Sequence, residues 1–81
     1  MDENAIIADL QVILRDVLED ETFVLTKEQS VNDIKGWDSL AHINIIELIE
    51  SKFNIKFSLG EIVTLKKISD LILLIQSKSG F

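Results

Sequence analysis

Hydrophobic positions recur at helical spacing over most of the chain. Ile6, Leu10, Ile13, Leu14 and Val17 fall three or four residues apart, which predicts a first helix over about residues 4–19 with Asp2 or Asn4 placed to cap it. From residue 20 to 38 the period is lost. Phe23, Val24, Leu25, Val31, Ile34 and Trp37 are scattered through that stretch, as anchors holding a long loop onto a core would be. Gly36 fits a tight turn at the end of the loop. A second helix is predicted over residues 39–52. On a helical wheel Ile45, Ile46, Ile49 and Phe53 share its core face, while Leu40, Ile43, Asn44, Glu47 and Ser51 lie on the opposite and flanking side. Residues 54–57 read as a short extended connection. Ser58 is placed to cap a brief helix over residues 59–63, although Gly60 weakens it. A turn over residues 64–67 leads to a last helix over 68–78. Ile68, Leu71, Ile72 and Ile75 form its stripe, Ser69 or Asp70 stands near its cap, and residues 77–81 make a frayed tail. The pattern predicts an all-α fold: a small four-helix bundle, three main helices and one short, with a long loop between helices 1 and 2.

Composition narrows this picture. At 81 residues the chain makes a single domain, 1–81, with a modest core. Its hydrophobic content of 47% favours a folded globule despite a net charge of -6. The chain contains no cysteine, which removes disulfides, thiolate metal sites and a cysteine nucleophile from consideration. The longest apolar run, from Leu71 to Ile75, is far too short to span a bilayer. Met1-Asp2-Glu3-Asn4 carries no basic region of a secretory signal. A cytoplasmic protein without a membrane role is expected. The acidic balance disfavours nucleic acid and favours basic protein partners.

Candidate chemistry concentrates in Gly36-Trp37-Asp38-Ser39-Leu40. A helix breaker, an aromatic and an acid bring a serine to the start of the second helix. There its hydroxyl faces solvent, beside unpaired N–H groups and the positive end of the helix dipole, which favour an attached phosphate. The plainer alternative is a simple helix cap, since Ser and Asp both favour that position. Trp37 reads as a loop anchor. His42, the one histidine, follows Ser39 by a turn, so a serine–histidine pair could touch. No oxyanion-hole element accompanies it, and the wheel turns His42 towards the core beneath the long loop, as a structural residue. Glu47 and Glu50 are either a solvated face or, with Leu40 and Ile43, a charge-rimmed apolar surface suited to a transient partner.

Asp38-Ser39-Leu40, halfway along an acidic domain of this size and opening the second of four helices, resembles the modification motif of acyl carrier proteins. The likeness extends over nearly the whole chain, including Phe53-Asn54-Ile55-Lys56-Phe57 and Ile68-Ser69-Asp70-Leu71. The resemblance implies a carrier, with catalysis performed by its partners. Ser39 would be esterified by 4'-phosphopantetheine, delivered by a phosphopantetheinyl transferase, and the arm's thiol would hold an acyl or aminoacyl group as a thioester. Asp38 would present the serine to the transferase and its metal. Leu40, Ile43, Asn44, Glu47 and Glu50 would form the docking face for an acyl or aminoacyl ligase, synthase or transferase with basic patches. A free-standing monomer is expected.

Flanking residues refine the likeness. Acids are common in the fatty-acid-synthesis pattern where this chain has Ala41, Asn44 and Ser51, so its acidic face is thinner. The single Gly36 before Trp37 departs from the paired glycines of peptide-synthetase carriers. Both features lean towards a small free-standing carrier of a specialised pathway. The alternatives are a carrier of primary fatty acid synthesis, an unmodified helical adaptor using the face from Leu40 to Glu50, and a small Ser39–His42 hydrolase.

Overall fold

The computed structural model describes residues 2–79, and for Ser79 its backbone alone. Four helices follow in order: α1 (Glu3–Leu18), α2 (Ser39–Phe53), α3 (Leu59–Thr64) and α4 (Ile68–Ser79), with a single 3-10 turn (Val31–Asp33) in the long loop. This is the expected helical bundle. α1 packs against both α2 and α4. Ile6, Leu10 and Leu14 of α1 meet Ile45 and Ile49 of α2 and Ile68, Leu71, Ile72 and Ile75 of α4, and all of these side chains are fully buried. Burying each such side chain is worth about 1.5–3 kcal/mol, so the three apolar stripes dictate the packing.

Helix ends follow from local chemistry. α1 stops at Glu19, in the left-handed conformation at φ 54°, and α2 stops at Asn54 in the same conformation at φ 55°. α3 forms in spite of Gly60 because a reciprocal cap holds its start. Ser58 Oγ accepts from the Glu61 N–H at 3.2 Å, and the Ser58 N–H donates to Glu61 Oε1 at 2.8 Å. Lys78 of α4 adds an ion pair to Glu61 at 2.9 Å and lies over the Phe57 ring, 5.7 Å from its centre.

The long loop is ordered by hydrogen bonds as well as by apolar anchors. Gln11 and Arg15, one turn apart on α1, hold its first half: Gln11 Oε1 accepts from the Leu25 N–H at 2.9 Å, and Arg15 Nε donates to the Phe23 carbonyl at 2.7 Å. Its second half lies against the start of α4. The Ile68 and Ser69 N–H groups donate to the carbonyls of Gln29 and Lys27 at 3.0 and 3.1 Å, and the Val31 N–H donates to the Lys66 carbonyl at 2.7 Å. Backbone carbonyls from a distant segment thus satisfy α4 amides that normally wait for a side-chain cap.

Three expectations need correction. Val24 is no anchor: it is 60% exposed, while Leu25, Val31 and Ile34 are buried and Phe23 and Trp37 half-buried. Ser77 and Lys78 are no frayed tail, because α4 runs through them and Lys78 is tied to Glu61; Gly80 and Phe81 lie outside the described residues. Thr64 belongs to α3 rather than to the turn, its hydroxyl donating to the Gly60 carbonyl at 2.7 Å.

Candidate functional site

Gly36 turns the chain into α2 with φ at +89°, a conformation that a side chain resists. Around it the Trp37 N–H donates to the Ile34 carbonyl at 3.2 Å and the Asp38 N–H to the Gly36 carbonyl at 3.1 Å. Asp38 then caps α2, its Oδ1 accepting from the Ala41 N–H at 2.8 Å. This leaves Ser39 as the first helical residue. Ser39 is exposed, and its hydroxyl makes no hydrogen bond to the described residues. The Ser39 and Leu40 N–H groups also find no protein acceptor among the described residues. An unengaged hydroxyl therefore stands beside two open amides at the positive end of α2.

Trp37 and His42 join this turn to the rest of the domain. The Trp37 indole N–H donates to His42 Nδ1 at 2.9 Å, and His42 Nε2 lies 2.9 Å from the Ile62 carbonyl oxygen in α3. The two rings are tilted at 41° with centres 6.0 Å apart. His42 is half-buried under the loop, in the structural place its wheel position implies. Both its nitrogens are committed, so neither is left to take a proton from Ser39, and the hydrolase reading loses its base.

A groove of about 540 Å³ opens beside Ser39. Trp37, Asp38, Ser39, His42 and Ile43 line one side, Leu59, Ile62 and Val63 the other, with Val31 and Leu65 between them. Its outer lips are apolar: Ile43, Leu59 and Val63 are 53%, 76% and 68% exposed, and Leu40, next to Ser39 in the chain, is 69% exposed. The α3 residues escaped the sequence reading, although Ser58 and Glu61 signalled the helix. What was missing was the pairing of α3 with the start of α2, which a local pattern does not carry.

The other expected surface residues divide into two groups. Leu40, Ile43, Asn44 and Glu47 lie together on the outer side of α2, all exposed. Glu50 is half-buried, and its Oε2 accepts from the Phe57 N–H at 2.9 Å, fixing the connection to α3. Ala41 is buried, only 8% exposed; its lack of charge concerns packing and takes nothing from the outer face. Among the carboxyl groups, Glu61 is held below its ordinary value of 4.5, first by the Ser58 N–H and then by Lys78. Asp20 is likewise held below 3.8, chiefly by the Thr22 hydroxyl and N–H.

No family model and no curated protein matches this chain. Among solved structures, the chain is 46% identical to a holo acyl carrier protein from Geobacter metallireducens, over 89% of this chain and 83% of that one, with a TM-score of 0.80. An acyl carrier protein from Thermotoga maritima shares the fold, with a TM-score of 0.84, 23% identity, and coverage of 96% and 91% of the two chains. On the strength of the Geobacter likeness over most of both chains, this protein belongs to the acyl carrier protein family.

Proposed function

We propose that Ser39 carries a 4'-phosphopantetheine arm and that this carrier, itself no enzyme, presents acyl or aminoacyl groups to partner enzymes of a specialised pathway. The observation that carries the reading is the free Ser39 hydroxyl at the capped start of α2, beside an apolar groove, in a chain 46% identical to a holo acyl carrier protein. The residues present fit such a group. The open amides of Ser39 and Leu40 and the α2 dipole suit a phosphodiester, and Asp38 holds the helix start so that the hydroxyl faces outward. When bound, the arm supplies a terminal thiol that holds its cargo as a thioester. The chain's own part is to anchor, orient and display it.

The surface around Ser39 is the natural dock for a phosphopantetheinyl transferase and for loading or consuming enzymes. Leu40, Ile43, Leu59 and Val63 supply an apolar patch, with Glu47 as its free acidic rim on α2. Asn44 belongs to the same face. Glu50 contributes charge less directly, since its carboxylate already holds the Phe57 amide. The thin acidic rim supports a specialised pathway over primary fatty acid synthesis. The acidic, cysteine-free composition is consistent with a cytoplasmic monomer, and among the described residues no helix is long and apolar enough to cross a membrane.

Co-expression with a broad-specificity phosphopantetheinyl transferase, followed by intact-mass measurement, tests the attachment. The expected result is a gain of one phosphopantetheine that disappears in Ser39→Ala. No gain in the presence of a competent transferase would leave the unmodified adaptor as the better reading.

A further inference from the structure

The hydrogen-bond chain from Trp37 through His42 to Ile62 is required by neither attachment nor docking. An indole N–H only donates, so His42 Nδ1, 2.9 Å from it, accepts. The ring proton therefore sits on Nε2, which donates to the Ile62 carbonyl at 2.9 Å. A single neutral imidazole thus joins the turn that delivers Ser39, the first turn of α2, and α3. Packing secures α3 only lightly on this side, where Ile62 rests half-buried against the core. None of its residues is buried, and a side chain built at Gly60 would meet nothing within 4 Å. The cap at Ser58 and the Glu61–Lys78 pair hold its first half. Among the described residues, His42 to Ile62 is the hydrogen bond that ties α2 to α3 across it.

We infer that His42 is a positioning residue: its imidazole sets the gap between the Ser39 turn and α3, and so fixes the width of the groove in which the apolar part of a tethered cargo rests. The consequence for cargo depends on the carrier reading of Ser39; the brace itself does not.

Two conservative variants separate its arms. His42→Asn keeps an acceptor near Nδ1 for Trp37 but is too short to reach Ile62. His42→Gln places an amide N–H near Nε2 and keeps the tie to α3 at the expense of Trp37. His42→Ala loses both. In the unmodified protein, NMR hydrogen exchange of the α3 amides should quicken about fivefold in the Ala and Asn variants and return towards wild type in Gln, as loss of one net hydrogen bond implies. Exchange of the Trp37 indole N–H should show the other order, restored by Asn and not by Gln. After loading with an octanoyl group, hydroxylamine should cleave the thioester about fivefold faster in Ala and Asn than in wild type and Gln. Uniform exchange in all four proteins, or failure of Gln to restore α3, overturns the proposal. Should wild type take up no arm, the carrier reading and the cargo consequence fall together, while exchange in the unmodified protein still decides the brace.

Discussion

Gly36 is the residue on which delivery of Ser39 depends. Its φ of +89° is strained for any side chain, and an added Cβ would also meet Leu18 Cδ2 at 3.4 Å. Gly36→Ala should therefore cost about 1–2 kcal/mol, read as a lower urea midpoint with an unchanged slope. A variant as stable as wild type would show that the turn adopts another conformation. Asp38 works differently: it acts on Ser39 through the backbone, by fixing where α2 begins. The motif is thus two side-chain functions on one rigid turn, a capping carboxylate and a free hydroxyl. Its sequence showed both residue types. It could not show that Trp37 reaches His42, because that contact depends on how far the turn folds back.

At the level of the helices, α3 has no fully buried residue and depends on polar contacts at its ends, with Ile62 packed half-buried against the core. Glu61 is its electrostatic keystone. Since the Ser58 N–H and Lys78 favour the ionised carboxylate and lower its affinity for a proton, the stabilisation is complete above the ordinary value of 4.5 and is lost as pH falls through the depressed one. Thermal midpoints measured from pH 6 down to about 3 should drop less steeply in Glu61→Gln than in wild type. Parallel curves would remove Glu61 from the acid response. α1, α2 and α4 were legible because their apolar stripes are long: Ile45, Ile46 and Ile49 were placed in the core, and Leu40 and Ile43 outside it, correctly. The ordering of the long loop was not legible. It depends on Gln11, Arg15 and backbone carbonyls whose partners lie far along the chain, and no periodicity reports such pairings. Val24 was misplaced for the same reason, since an apolar residue in an aperiodic stretch has no face to define it.

For the molecule as a whole, eight basic against fourteen acidic residues give a field that steers cationic partners, but the surface beside Ser39 is mainly apolar. Glu47→Lys should slow loading by a cognate enzyme about threefold at low salt, with the difference fading by physiological ionic strength, in stopped-flow or mass-resolved kinetics. Salt-independent loss would point to packing instead of steering. The braces between the loop and α4 have a different kind of consequence. Lys27 and Gln29 offer only their carbonyls to α4, and every amino acid has a carbonyl. Side-chain scanning at those two positions therefore leaves the carbonyls of the joint in place and reads other contacts: Gln29 with the Thr26 N–H and the Val24 carbonyl, and Lys27 with Glu3. The joint is exposed only by deleting a donor. Proline in the first turn of a helix is ordinarily tolerated, yet Ser69→Pro removes the N–H given to Lys27. It should lower the thermal midpoint by several degrees, about what losing a net 1 kcal/mol does in a domain of this size. Differential scanning calorimetry would show whether a substitution that leaves the helix intact can unseat a loop 42 residues earlier in the chain.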